Sequence, residues 1–399
     1  MDVLATLRRQ PSLNLFPIEN RLSPRALEAL SSDANNRYPY SETDVAVYGD
    51  VTGLNDVFTY CTDLTKQFYG ARHAYVNFLS GLHTMHTVIT AVATAGDRVM
   101  VLAPEDGGHY ATATICRGYG HEVDFLPFDR GTLEIDYAKL ATTVAERPVD
   151  LIYLDASSML RFPDARALRA AAPDALICLD ASHLLGLLPV APQTLVLDGG
   201  FDSISGSTHK TMPGPQKGLL VTNSDRMAEL VGARIPFTAS SSHSANVGSL
   251  AITLEELMPH RTAYAQQVID NARALGTQLA SRGFDVAGKD FGYSETHQVW
   301  VHLPEGHTTH QWGRTLTAAG IRSTTVQLPS TGRPGLRLGT QELTRWGMRE
   351  SDMSVVADLL ARLLLRGEAV KEIAEDVSTL ALSYPGVAFA GPLAPLASR

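Results

Sequence analysis

The feature of this chain that could do chemistry most directly is a lysine set among hydroxyl-bearing and small residues, in SISGSTHKTMPGPQKG at 203–218. A lysine that carries a carbonyl compound as a Schiff base must sit at a fixed point, beside hydroxyls and amides able to take a phosphate. Lys210 has that surrounding: Ser207 and Thr208 could contact phosphate, and His209 adjoins it. Taken alone the segment also reads as a surface loop with an ordinary lysine. A second segment, LICLDASHLLG at 176–186, runs an apolar strand into Asp180. α/β sheets place their sites at such strand ends. An aspartate paired with a pyridine nitrogen keeps that ring protonated and makes it an electron sink. His183 could reach a ring oxygen or the lysine; the alternative for Asp180 is a helix cap.

Three further segments extend the set. In LSGLHTMHTV at 79–88, Ser80 and Gly81 open a helix whose amide groups could receive an anion, although a Ser N-cap is the simpler reading. In EDGGHYA at 105–111, two glycines allow a sharp turn that presents His109 for stacking on a planar ring, or merely to solvent. In GLRLGT at 335–340, Arg337 suits bidentate capture of a carboxylate, or a salt bridge.

The elements that must position these residues follow a βα rhythm. Short apolar, β-branched runs occur at 98–104, 122–128, 150–157, 175–182 and 218–224, with helix-like stretches such as DARALRAAA at 164–172 between several of them. Buried strands alternating with helices predict a mostly parallel sheet covered on both faces. Residues 1 to about 50 look irregular. From about 251 the pattern becomes a long helix to about Arg282 with a break at Pro259, a strand at 298–303, and a helix capped by Ser351. The expectation is an α/β protein of three parts: an N-terminal segment 1–48, a large domain 49–255, and a smaller α+β domain 256–399. The tail from Tyr384 is expected to lie over the surface.

The totals narrow the classes. With 399 residues, two domains are expected. A net charge of -9 disfavours a nucleic-acid partner. The three cysteines, Cys61, Cys116 and Cys178, have no paired spacing, which argues against disulfides or a zinc site and for a reducing compartment. The N-terminus has no signal-peptide core, and no run approaches the roughly 20 apolar residues of a membrane span. A cytoplasmic protein without membrane or metal partners is the expectation.

The order of these segments, and the wording THKT-x-x-GP, DASH, SG, GGH and GLRLGT, resembles serine hydroxymethyltransferase over about residues 12–360. The resemblance implies a fold-type I (aspartate aminotransferase-like) enzyme of pyridoxal 5'-phosphate, with Lys210 carrying the cofactor and Asp180 as the pyridinium partner. It implies His109 as ring-stacking base, His183 and Ser157 as ring-oxygen contacts, Ser80 and Gly81 as phosphate ligands, and Arg337 as the carboxylate clamp. Tyr38 and Tyr48 match tyrosines that in this family enter the partner subunit's site, implying a homodimer. Glu19 and Asn20 match the end of the family's ASEN motif, whose serine is Ile18 here.

The departures cluster on folate handling. Tyr40 stands where folate-dependent members carry a glutamate, the loop 322–334 is short, and the glycine-rich phosphate turn is replaced by TASSSHSAN at 238–246. GSTHKTMPGPQKG, YSETHQV, AGIRSTT and TRWGM resemble the folate-independent L-threonine transaldolases of natural-product pathways, except that Met85 stands where that group carries a glutamate. The resemblance implies a threonine aldolase or transaldolase acting at Cα–Cβ of an amino acid, with an aldehyde as second substrate and His109 or Tyr40 as base. Alternatives are a lyase or decarboxylating oxidative deaminase of a cysteine S-conjugate in antibiotic biosynthesis, and an ordinary serine hydroxymethyltransferase.

Overall fold

Runs such as Leu151–Asp155, buried at every residue, form only where a strand is covered on both faces, and such strands build the sheet that organises this protein. The computed structural model describes residues 11–39, 52–155, 157–192, 197–239, 241–329 and 331–391, together with Val3. The chain divides into two units: one of residues 18–266, 329–331 and 389–399, the other of residues 1–17, 267–328 and 332–388.

The larger unit holds a seven-stranded sheet. Its strands are β1 (His73–Tyr75), β2 (Arg98–Val101), β3 (Glu122–Phe125), β4 (Leu151–Asp155), β5 (Leu176–Asp180), β6 (Ser203–Ser207) and β7 (Gly218–Thr222), in the order β1-β7-β6-β5-β4-β2-β3. The pairings from β3 to β6 are parallel, whereas β7 is antiparallel to both β6 and β1. This is the expected α/β architecture with a mostly parallel sheet. Asp155, Asp180 and Ser205 share one register across β4, β5 and β6, so their side chains leave the sheet on the same face. Helix α1 (Gly81–Val92) packs on the sheet through Met85, Val88 and Ile89, which share a core with Val99, Val101, Leu151 and Tyr153. Helices α2 (Asp225–Thr238) and α3 (Ser244–Leu257) follow β7. A 3-10 turn at Met258–His260 then separates α3 from α4 (Arg261–Ser281), which is the break expected from Pro259 and its missing N–H.

The smaller unit contains an antiparallel sheet of β8 (Asp285–Val286), β9 (Gln298–His302), β10 (Thr324–Gln327) and β11 (Pro334–Gly339), ordered β8-β9-β11-β10. Helices α5 (Thr309–Ala318) and α6 (Glu350–Leu364) supply Trp312, Leu316, Val356 and Leu360 to its core. It is α+β, as expected.

Three local expectations change. The N-terminal part is not wholly irregular: Ser23 caps a helix over Pro24–Leu30 by accepting from the Ala26 amide, and Leu13–Asn14 pairs with Ile321–Arg322. The helix near 351 begins at Glu350, because the Asp352 carboxylate takes the Arg349 N–H at 2.7 Å and so moves the cap ahead of Ser351. The stretch SISGS, read as part of a phosphate loop, is the buried strand β6. Its small side chains carry no strand signal of their own and leave room for the neighbouring loops.

Candidate active site

At the C-terminal ends of β4, β5 and β6 the larger unit encloses a cavity of about 200 Å³. Ser80, Gly81, His109, Ser157, Asp180, His183, Ser207, His209 and Lys210 all line it. Five separate sequence segments therefore converge on one place. Tyr38 is exposed and does not line it, nor does Glu19, which is half-buried. Thr208 also lies off the cavity: its hydroxyl donates to Pro215 O at 2.6 Å, which closes the loop after the lysine. Arg337 belongs to the smaller unit, on β11 opposite Trp300 and Thr324. Burial lowers its guanidinium to about 10. Tyr40 and Tyr48 lie outside the described residues.

One wall is a cradle of hydroxyls and amides. Ser80 does cap α1, accepting from the His83 amide at 3.1 Å. Gly81 comes so close to the opposite strand that a Cβ there would stand 2.3 Å from Ser207 Oγ and 3.0 Å from Ser207 N. Ser182, to which the sequence reading gave no role, completes the group: its hydroxyl accepts the Ser207 N–H at 2.8 Å, and its own N–H donates to Asp180 Oδ1 at 2.9 Å. Ser182 sits inside the DASH motif, and that position was the only signal for it. The start of a twelve-residue helix and several hydroxyls along this edge suit an anion.

The lysine is held through its backbone. Asn20 donates to Lys210 O at 2.7 Å and Tyr264 donates to Thr211 O at 2.7 Å, and these two side chains also meet at 3.0 Å. His209 next to it is half-buried, and its buried Nδ1 has no partner among the described residues. Burial, and then the charge of Lys210, push its imidazole down to about 4, so it is neutral at pH 7. Behind the cradle, the fully buried Lys217 donates to Phe78 O at 3.2 Å and Ser242 O at 2.7 Å. It ties the start of the cradle to the hydroxyl-rich turn after α2, and burial lowers its ammonium to about 7.

The other wall carries His109. Gly107 has φ +105°, and a Cβ on it would lie 2.1 Å from Ser158 O, so the GG pair is required by backbone conformation and by close approach alike. Ala111 N–H donates to His109 Nδ1 at 3.3 Å, and the ring lies against Tyr110 at a centroid distance of 4.7 Å. Asp155, which was not expected there, and Met85, which marks the departure from the transaldolases, also line this side. A separate hollow of about 310 Å³, lined by Phe68, Tyr69, Leu188 and Arg261, brings none of the sequence-derived site residues together. Among the described residues no group of acidic, histidine and cysteine side chains could hold a metal ion.

Comparison with known proteins agrees with this geometry. The family described as serine hydroxymethyltransferase matches residues 4–360. A fluorothreonine transaldolase of Streptantibioticus cattleyicolor is 35% identical over 92% of this chain; the match covers 60% of that protein's length. An L-threonine:uridine-5'-aldehyde transaldolase of a Streptomyces species is 34% identical over 87% of this chain and 86% of its own. The serine hydroxymethyltransferase of Methanothermobacter thermautotrophicus is 31% identical over 96% and 92% respectively. The crystal structure of an L-threonine transaldolase from Pseudomonas fluorescens, in its internal aldimine state, superposes with a TM-score of 0.87 at 28% identity, covering 95% of this chain and 90% of that one. The cofactor these relatives imply is pyridoxal phosphate, and the cavity fits it. A Cβ would fill the Gly81 cradle, the lysine stands beside that cradle, and a strand-end carboxyl faces the same space. The chain belongs to the serine hydroxymethyltransferase family of pyridoxal-phosphate enzymes.

Proposed function

We propose that this enzyme is a folate-independent aldolase or transaldolase that breaks the Cα–Cβ bond of threonine or a similar β-hydroxy amino acid, and passes the glycine-derived fragment to a second aldehyde in a specialised pathway such as antibiotic biosynthesis. The observation that carries this reading is the gathering of Lys210, Asp180, His109 and the Ser80–Gly81–Ser207 cradle in one cavity. The two transaldolase relatives and the transaldolase structure support it.

Bound pyridoxal phosphate supplies an electron sink for the pair left on Cα when the bond breaks. Ser80, Gly81 and Ser207 hold its phosphate, Lys210 tethers it, and the neutral His209 packs beside that tether. Asp180 keeps its ring nitrogen protonated, and His183 and Ser157 contact its ring oxygen. Arg337 clamps the amino acid's carboxylate, with Glu19 at the substrate end. His109 stacks on the ring and takes the proton of the β-hydroxyl as the C–O bond becomes a carbonyl; Tyr40 is the other candidate base. Tyr38 and Tyr48 come from a second copy, which makes the working unit a homodimer with sites completed by Tyr38 on the cofactor side and Tyr48 on the substrate side. The exposure of Tyr38 in the single chain is in keeping with that. The three cysteines are buried and free, and no described helix is long and apolar enough to cross a membrane, which supports a cytoplasmic location.

Folate is excluded on chemical grounds. A phenol has an unperturbed pKa of about 10, so at pH 7 Tyr40 supplies no carboxylate charge where folate-dependent members carry a glutamate. The test is to incubate the enzyme with pyridoxal phosphate and L-threonine, measure acetaldehyde, and then add a second aldehyde and follow its consumption. Acetaldehyde release that is unaffected by tetrahydrofolate supports the reading. No acetaldehyde, or serine formed from glycine and methylene-tetrahydrofolate, returns the chain to a lyase or to the folate-dependent hydroxymethyltransferases.

A further inference from the structure

Asp155 ends β4 in the same register as Asp180 on β5, so two carboxyls leave neighbouring strands toward one cavity, and both line it. Asp155 is 2% exposed. One of its oxygens, Oδ2, accepts the hydroxyl of Thr112. The other, Oδ1, is buried and has no hydrogen-bond partner among the described residues. Thr112 Oγ1 also lies 3.6 Å from the sulfur of Met85, which sets an apolar group beside the carboxyl on the same side of the cavity. A buried carboxylate oxygen without a partner is costly, whereas a carboxylic acid in the same place needs only one acceptor for its proton. The oxygen that receives the Thr112 hydroxyl then serves as the carbonyl, and the other oxygen, Oδ1, carries the proton.

We propose, resting on the pyridoxal-phosphate reading of this cavity, that Asp155 is a second catalytic acid of the site: it keeps its proton and donates it as a hydrogen bond from Oδ1 to an oxygen of the bound cofactor. The groups around it agree. Burial pushes its carboxyl well above the usual range and outweighs the contacts from Thr112 and the His109 backbone N–H, and the negative charge of Asp180 adds to the rise. Tyr153 on the same strand and Cys116, in the helix Thr112–Gly118, are themselves pushed up by burial and stay neutral, so neither offsets a charge on Asp155. Two carboxyls on adjacent strand ends can divide their roles by environment. In this chain Asp155 is the acid of that wall, with the thioether of Met85 on the same side.

The experiment compares wild type with Asp155→Asn, Asp155→Ala and Thr112→Val, reading the affinity for pyridoxal phosphate by absorbance titration and the carbonyl stretch of a protonated carboxylic acid by difference infrared spectroscopy at pH 7. An amide still donates, so Asp155→Asn is expected to bind within about threefold of wild type, whereas Asp155→Ala loses about tenfold or more. The protonated-acid band is expected in wild type and Thr112→Val and absent from Asp155→Asn. Equal affinity of Asp155→Ala and wild type, or a wild type without the band, overturns the assignment. So does Thr112→Val losing as much affinity as Asp155→Ala, because Asp155 would then act only as an anchor for the 107–112 loop. If Asp155→Ala does not fold, the infrared band and the Asp155→Asn affinity decide. Borohydride labelling of Lys210 in wild type separates the two readings: without it the cofactor reading falls, and with it only Asp155 is at stake.

Discussion

Gly81→Ala tests the anion cradle with a single methyl group. The added Cβ would meet Ser207 Oγ at 2.3 Å, Ser182 Oγ at 2.9 Å and Ser207 N at 3.0 Å. The first of these is about 1 Å inside ordinary contact. Ser207 Oγ could rotate away, but it would give up its contact with Ser182 Oγ at 3.3 Å, and the Ser207 N–H belongs to a central strand already held by Ser182 at 2.8 Å. The start of α1 must therefore move, and its amides with it. Overpacking of this kind costs about 1–3 kcal/mol. If the cost falls on the cradle, the affinity for pyridoxal phosphate drops about 5- to 150-fold. Titration of the cofactor-free protein, followed by fluorescence quenching and by the visible band of the bound cofactor, reads the loss; thermal melts of the same samples report the change in the fold. Native affinity together with a native melting temperature would refute the cradle.

The other expectations follow from the same geometry. Asp180→Asn should fold and bind cofactor yet lose nearly all turnover, since an amide does not hold the ring nitrogen protonated; wild-type turnover would remove Asp180 from that role. Arg337→Ala should raise KM for the amino acid by the equivalent of about 2–5 kcal/mol, the loss of a charged partner for a carboxylate; unchanged KM would mean that the carboxylate is held elsewhere. His209, His83 and His302 all have their pKa lowered by burial, to about 4 for His209. Below pH 6.5 the unfolded chain takes up protons that the fold does not, so the cofactor-free protein should lose stability as pH falls from about 6.5 toward 4. His209→Asn should flatten that slope in thermal melts, and an unchanged slope would contradict it.

Much of the site was legible because its chemistry is local in sequence. Lys210, Asp180 and His183 stand in short motifs whose neighbours declare their task, and all three reach the cavity. What was not legible depends on packing across the sheet. Asp155 follows an apolar run just as Asp180 does, and only the register of β4 against β5 brings it to the same face. Lys217 reads as an ordinary loop lysine until its burial against Phe78 O and Ser242 O is known. β6 escaped notice because Ser203, Ser205, Gly206 and Ser207 carry no strand propensity, and they are small because Ser182 and Gly81 must approach them. Asn20 was named only as a matching residue, yet its grip on the Lys210 carbonyl spans 190 positions of chain, a distance that no local pattern reports.

The central claim is that this cavity holds pyridoxal phosphate on Lys210. Borohydride reduction of the cofactor-loaded enzyme, followed by proteolysis and mass mapping, tests it most directly. A phosphopyridoxyl group on the peptide containing Lys210, with the visible band and the label both absent from Lys210→Ala, is the predicted result. A label on Lys217 or any other lysine, or a Lys210→Ala protein that still takes the label, would contradict it.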